Sequence, residues 1–446
     1  MATGVPDRPD TFYIGTAGGG IWKSENAGRT WVSMADRLPP AIGAIAVAPS
    51  RPDTIYVGTG QVAPRYDIAA GRGMYKSADG GRSWAAIGLA NTEHIGAIWV
   101  DPHDENTVVV AALGPLFRPS GDRGIYRSSD GGRTWNSVLA INPSTGVVDL
   151  AADPARPGLL YAAAWQARLE PWLSYFKPIV GPASGIYSSS DGGRSWSRLA
   201  GGGWPEGPLG RIGLAVAHTE HGTRIYATVD SAKSGGVWRS DDGGGHWRRM
   251  NADAETFGNW YFSRLTVDPR NPDTLYAMGQ SIRRSRDGGK TWTVIKGAPG
   301  GDDYHFLWIN PRHPDHWITA SDQGAVVTVD DGETWSSWYN QPTGQFYHLA
   351  ADDRFPYWVY SGQQDSGTVG AASRSDYGSL TFRDWHPVGG DERDYMIPDP
   401  DDPLRVYGSG LGGRISRWDG ETGQVANVSP WPVSSYGKRP DTVKYR

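Results

Sequence analysis

The sequence predicts an all-β chain: a β-propeller of four-stranded antiparallel blades, either seven blades plus two extra units or a single ring of eight or nine. Three observations predict it. An eight-residue turn pattern recurs seven times, a short strand signature recurs nine times, and the composition is that of a turn-rich protein. Among 446 residues there are 61 Gly, 32 Pro and 21 Trp, with only 20% charged, which suits many short strands better than helices.

The turn pattern is Ser/Thr-x-Asp-x-Gly-x-Ser/Thr-Trp. Its copies are Ser24 to Trp31, Ser77 to Trp84, Ser128 to Trp135, Ser189 to Trp196, Ser240 to Trp247, Ser285 to Trp292 and Thr328 to Trp335, with Asn26 and His246 as departures. An Asp accepts backbone N–H bonds inside a tight turn, Gly supplies positive φ, and the hydroxyls bond neighbouring backbone groups. The Trp pins the hairpin to its surroundings through its large apolar surface. An Asp that recurs in this way is structural, so the chemistry is expected elsewhere. The tryptophans stand 43 to 61 residues apart, the length of one blade with its loops.

Each unit runs through an apolar strand, a turn rich in Asp and Pro, a second strand, a variable loop, a third strand, the recurrent turn and a fourth strand. Residues 42–48, 54–59, 73–77 and 83–87 show the sequence, with alternation and β-branched content typical of short strands. The second-strand signature appears in TFYIGT near the start, in RPDTIYVGTG from Arg51, and six more times before DPLRVYGSGL from Asp402. Nine signatures against seven turns place blades 1–7 in residues 1–340 and two diverged blade-like units in 341–446. Those two either close the same ring or begin a truncated second propeller. The first unit lacks an upstream inner strand, which reads as a cut or processed start and leaves the missing strand to be supplied by the C-terminal segment.

The absence of cysteine excludes disulfides and thiolate chemistry, and a net charge of -5 argues against a nucleic-acid partner. No apolar run is long enough to cross a membrane as a helix. His94, His305 and His348 have no short ligand spacing, so no metal site is expected and no cofactor is implied. A structural Ca²⁺ in the Asp302–Asp303 loop is compatible with hard oxygen ligands.

Loops that enter inner strands, or that join second to third strands, should gather at one face. They contain Arg65, Tyr66, Glu93, His94, Arg118, Trp165, Trp172, Trp260, Tyr261, Tyr304, His305, Tyr347, His348, Gln363, Gln364 and Asp365. Aromatic rings stack on the apolar faces of sugars while amides and acids bond hydroxyls, so this set is a candidate glycan site. Cleavage of a glycosidic bond needs a protonated acid and a second carboxylate. Asp391 or Glu392 paired with Asp302 or Asp303 is the candidate, because each precedes or begins an inner strand.

The seven turns resemble the Asp-box (BNR) repeats of sialidases, sortilin-type receptors, photosystem II assembly propellers and the two-propeller xyloglucan-degrading glycoside hydrolases. More narrowly, GTAGGGIWKSENAGRTW, TEHIGAI from Thr92, GQFYHLAADDRFPYWVYSGQQDSGTV from Gly344 and VGGDE from Val388 look like stretches of large bacterial BNR-repeat, sortilin-like glycosyl hydrolases. The resemblance to the xyloglucan-degrading family implies Asp36 as a further catalytic candidate. The sialidase resemblance stops at the turns, since Arg-Ile-Pro is absent. The expected function is therefore an exported, carbohydrate-active propeller, secreted or periplasmic, that hydrolyses a polysaccharide through paired carboxylates. The alternative is a non-catalytic sortilin-like propeller that binds a protein, peptide or glycan on its top face.

Overall fold

The structure, a computed structural model, describes the chain except residues 35–37, 64–67, 171–178, 200, 258–260, 394, 411–412 and 431–446. Its described strands form nine antiparallel sheets, eight of four strands and one of three, each a meander in which neighbours in sequence are neighbours in the sheet. This corrects the predicted β-propeller, both as seven blades plus two units and as a ring of eight or nine. Every sheet is open with two edges of its own, and no ladder of hydrogen bonds closes a sheet on itself or carries it into the next. The chain divides into two compact units, Met1–Pro342 and Thr343–Arg446. Seven sheets lie in the first unit and two in the second.

The opening strands of the seven sheets in the first unit are Ala2–Val5, Ile42–Val47, Ile95–Val100, Thr145–Asp153, Ile212–Thr219, Leu265–Asp268 and Tyr304–Ile309. The first corrects a second expectation. Ala2–Val5 pairs with Arg8–Gly15, with Ala2 opposite Ile14, so the supposedly missing inner strand is present at the start of the chain.

The recurrent turn forms as its residue types require. In the third sheet the Ser128 hydroxyl donates to Asp130 Oδ1 at 2.8 Å and accepts the Gly132 N–H at 2.8 Å. Asp130 in turn accepts the Thr134 N–H at 2.9 Å and the Thr134 hydroxyl at 2.7 Å. These donors hold the Asp130 carboxyl well below the usual carboxylate range, with the Thr134 backbone N–H the largest cause. Gly131 and Gly132 have φ of 73° and 91°, which a residue with a Cβ adopts only under strain. Asn26 bonds the corresponding groups in the first copy, accepting the Thr30 N–H at 2.9 Å but donating to its hydroxyl, at 2.8 Å, where Asp130 accepts.

Sheets are fastened to one another by side chains. Tyrosines of the second-strand signature reach across with their hydroxyls: Tyr56 donates to the Glu105 carbonyl at 2.8 Å and Tyr226 to the Pro272 carbonyl at 2.8 Å. The indole of Trp135 donates back to the Ile87 carbonyl at 2.6 Å. The first and seventh sheets also meet, through Phe12 edge-on to Trp308 at 6.1 Å and the Asn310 amide bonded to the Pro6 carbonyl. Buried Val, Ile, Leu and Ala between the sheets, with Tyr13, Tyr56, Tyr161 and Trp165, supply the apolar area that drives association.

The seventh sheet has three strands, Tyr304–Ile309, Trp317–Ser321 and Gly324–Thr328. Side chains occupy its open edge. Ser336 exchanges hydrogen bonds with Val327, its N–H donating to the carbonyl at 2.8 Å and its hydroxyl accepting the Val327 N–H at 3.0 Å. The Gln341 amide does the same for Ala325, accepting its N–H at 2.8 Å and donating to its carbonyl. The edge groups are thereby satisfied without a fourth strand.

Candidate functional site

In a meander the approach to the first strand and the turn between second and third strands lie at one end, and the recurrent turn lies at the other. Each described candidate residue therefore lies toward that end of its own sheet, away from the turn aspartates.

In the first unit, Glu93 and Arg118 form an ion pair at 2.5 Å. His94 beside them is buried, with Nδ1 2.8 Å from the Gln61 carbonyl, and burial pushes its imidazole down to about 4. Trp165 is fully enclosed and donates its indole N–H to the Ile179 carbonyl at 2.9 Å. Tyr304 is also fully buried, its hydroxyl bonded to the Gly300 carbonyl at 2.9 Å.

Asp302 is exposed but engaged. Its N–H donates to Gln323 Oε1 at 3.2 Å, and its carboxylate accepts from the Gln323 amide nitrogen. Asp303 sits at φ 50° and its carbonyl accepts the Asp322 N–H at 3.3 Å. Tyr261 stands edge-on to His305, with ring centroids 4.8 Å apart, and Phe262 lies against the same imidazole at 5.3 Å. The structure thus brings Tyr261, Asp302, Asp303 and His305 together in the first unit.

Behind Tyr261 lies a buried charge cluster. Arg211 Nη1 donates to the Tyr261 carbonyl at 3.0 Å, and its guanidinium lies 6.0 Å from the Trp165 ring. Burial, then the nearby Arg264 charge, pulls Arg211 down to about 9. Asp230 is buried beside it. A Cβ at Gly210 would collide with Asp230 Oδ2, which has no hydrogen-bond partner among the described residues. Desolvation outweighs the Arg211 attraction and raises the Asp230 carboxyl to about 7. Arg264 reaches Asp149 at 3.0 Å and the Gly96 carbonyl at 3.1 Å, tying the opening strands of the third and fourth sheets to the approach of the sixth.

In the second unit, predicted residues form a hydrogen-bonded chain. The Tyr347 hydroxyl donates to Gln364 Oε1, the Gln364 amide nitrogen donates to Asp365 Oδ1 at 2.6 Å, and the Asp365 N–H donates to Glu392 Oε2 at 3.0 Å. Arg393 stands 3.2 Å from the other oxygen of Glu392. Asp391 is paired with Arg414. Gln363 pairs with Gly367 in the strand hairpin and bridges to Phe346. His348 stacks on Tyr395 at 3.6 Å with planes 13° apart.

Asp36, Arg65, Tyr66, Trp172 and Trp260 lie outside the described residues. Among the described residues no group of three or more His, Asp or Glu is arranged to hold a metal ion. The proposed catalytic pair falls in two different units, Asp302 and Asp303 in one and Asp391 and Glu392 in the other.

Sequence reasoning missed Arg211, Arg264, Asp149, Asp230, Asp322, Arg414 and Tyr395. Asp322 was open to discovery, because Ser321-Asp322-Gln323-Gly324 is a second-to-third-strand turn of the kind that supplied Gln363, Gln364 and Asp365. The others depend on burial and on partners distant in the chain, for which local spacing carries no signal.

The fold is similar to that of solved GH74 enzymes. Its structure is similar to that of the GH74 xyloglucanase from Xanthomonas campestris, with a TM-score of 0.59 and 18% identity over 97% of this chain and 73% of that one. It is similar also to an ancestral GH74 enzyme, with a TM-score of 0.52 and 15% identity over 98% of this chain and 70% of that one. At these identities the likeness is one of fold.

Curated relatives carry the comparison into sequence. The chain is 26% identical over 367 residues to a xyloglucanase of Paenibacillus sp, covering 73% of this chain and 34% of that protein. It is 27% identical over 270 residues to a xyloglucanase of Hypocrea jecorina, covering 57% and 27%. A probable oligoxyloglucan-reducing end-specific xyloglucanase of Neosartorya fischeri is 25% identical over 261 residues, covering 49% and 31%. The chain spans about a third or less of the length of these relatives, and no protein-family model matches it. These findings correct the resemblance drawn from the turns. The relatives are xyloglucanases, and neither the Asp-box (BNR) nor the sortilin-like assignment is supported.

Proposed function

We propose that the chain is carbohydrate-active and engages a neutral polysaccharide of the xyloglucan class, outside the cytoplasm where such polymers occur. The observation that carries this reading is the 26% identity with a xyloglucanase over 73% of the chain. The geometry supports a binding role at the ends bearing Tyr261 with His305 and Tyr347 with Gln364. Partly exposed rings offer apolar faces to sugar, and the neighbouring polar groups hold one another in place.

Hydrolysis is the finer reading. Glu392 accepts the Asp365 N–H and faces Arg393, and Asp391 is paired with Arg414. A carboxylate held in this way is placed as a nucleophile or a base would be, and the proton donor is left to another residue. The test is affinity electrophoresis through gels containing xyloglucan, cellulose derivatives or galactomannan, followed by a reducing-end assay. Retardation by xyloglucan is expected. Equal mobility in every gel would end the polysaccharide reading, and retardation without reducing-end release would leave binding alone.

A further inference from the structure

The turn between Trp317–Ser321 and Gly324–Thr328 is held by a set of hydrogen bonds to the approach of the seventh sheet. Gln323 bonds both the N–H and the carboxylate of Asp302, and the Ser321 hydroxyl donates to Gln323 Oε1 at 3.0 Å. The Asp322 N–H is tied to the Asp303 carbonyl. The two acids chosen from sequence as catalytic thus clamp the turn that carries a third. Asp322 Oδ1 lies 2.9 Å from His305 Nε2, with the two side chains 18% and 23% exposed. Tyr261 edge-on and Phe262 tilted wall the imidazole on two sides, so the ring has a fixed orientation.

Hydrogen-bond valence then determines the tautomer of the neutral ring. An ionised carboxylate only accepts, so the ring nitrogen facing it carries the proton, and a neutral imidazole protonated at Nε2 has its lone pair at Nδ1. Nδ1 has no hydrogen-bond partner among the described residues. We infer that Asp322 is a positioning residue that holds His305 in the Nε2–H form, so that Nδ1 accepts a hydroxyl hydrogen from the bound polysaccharide. Such an acceptor selects chemistry. A neutral glycan donates from its hydroxyls, whereas the carboxylate of a polyuronate brings a lone pair against a lone pair. The inference rests on the polysaccharide reading and deepens it, from a class of neutral ligand to the ring nitrogen that accepts its hydroxyl and so tells it from an acidic polymer.

The experiment is long-range ¹H–¹⁵N correlation on the full chain labelled at histidine, with His305 assigned from the spectrum of His305→Gln. It is run at a pH where the imidazole is neutral, alongside binding to xyloglucan and polygalacturonate. Wild type is expected to show the Nε2–H pattern. Asp322→Leu is expected to shift it toward the Nδ1–H form and weaken xyloglucan binding about tenfold, the loss of one good hydrogen bond. Asp322→Asn, whose amide oxygen still accepts, is expected to retain the pattern and most of the affinity, and it answers the case in which the leucine variant fails to fold. An Nδ1–H pattern in wild type, or an unchanged pattern in Asp322→Leu, overturns the positioning role whatever binds. An Nε2–H pattern with no xyloglucan binding overturns the polysaccharide reading, and the hydroxyl acceptor with it. Equal affinity for xyloglucan and polygalacturonate overturns the preference.

Discussion

Arg264 and Asp149 meet at 3.0 Å although they belong to the sixth and fourth sheets, and the same guanidinium reaches a carbonyl of the third. Asp149 also accepts the Leu214 N–H of the fifth sheet at 3.0 Å. One ion pair therefore gathers four consecutive sheets. Both side chains are largely buried, at 12% and 7% exposure, so losing one partner leaves the other charged in an apolar surrounding. Arg264→Met should destabilise the first unit by about 3–5 kcal/mol. Arg264→Met with Asp149→Leu should recover part of that loss. Urea melts of the single and double variants check it, and a double variant no better than the single would refute the account.

The buried acid at Asp230 makes a pH prediction whose sign is fixed. Folded, the carboxyl keeps its proton to about 7, while the unfolded chain releases it near 3.8. The folded state binds the proton more tightly, so this contribution to stability is full below 3.8 and is lost as pH rises through 7. Asp230→Asn should match wild type at low pH and exceed it in Tm at pH 8, by an amount corresponding to a few kcal/mol. A Tm difference independent of pH would show that ionisation is not the cause.

His94 works in the opposite direction. Its folded value of about 4 lies below the ordinary 6.5, so the folded state resists protonation. Its contribution is present above 6.5 and is lost as pH falls toward 4. His94→Gln, which keeps a side-chain donor near the Gln61 carbonyl, should flatten the acid limb of the stability profile between those values. Thermal melts from pH 4 to 7 read this directly.

The recurrent turn can be tested through its own natural variation. Asn26 bonds the same two groups as Asp130, with the hydroxyl bond reversed in direction, so charge is not what the position needs. In the sixth sheet, Asp287 accepts the Thr291 N–H at 2.9 Å and its hydroxyl at 2.6 Å. Asp287→Ala should cost about 1–2 kcal/mol through the unsatisfied donors, and Asp287→Asn should cost much less. Equal losses in chemical denaturation would count against the hydrogen-bond explanation.

In the second unit, Tyr347→Phe removes the hydroxyl that holds Gln364 while leaving the ring. If Tyr347 and Gln364 face the polysaccharide, affinity for xyloglucan should fall about tenfold, or about 1.4 kcal/mol, with Tm unchanged. A melting shift without an affinity change would make the bond structural.

The turns and the short strands were legible because each is written within a dozen residues: Ser128, Asp130, Gly132 and Thr134 specify their own hydrogen bonds. The chain from Tyr347 through Gln364 and Asp365 to Glu392 was legible in membership, because strand order alone assigns those loops to one end of a sheet. Architecture was less so. Period and strand count suggested a closed propeller, but a count of similar units says nothing about which edges hydrogen-bond, and the sheets are separate and open. The first strand was overlooked because Ala2–Val5 is only four residues long and contains a glycine, too little to stand out as a strand. Arg264, Asp149 and Asp230 owe their roles to burial and to partners far along the chain. Isolated in sequence, they are ordinary charged residues.

The Gln341 amide at the edge of Gly324–Thr328 bears on where the chain can be cut. A first unit that ends at Trp335 would leave the backbone groups of Ala325 and Val327 bare, an invitation to strand exchange between copies. Ending at Pro342 retains Ser336 and Gln341 as its seal. The last few residues before the second unit thus act as a hem for the first, and expression boundaries that spare them should separate monomers from aggregates.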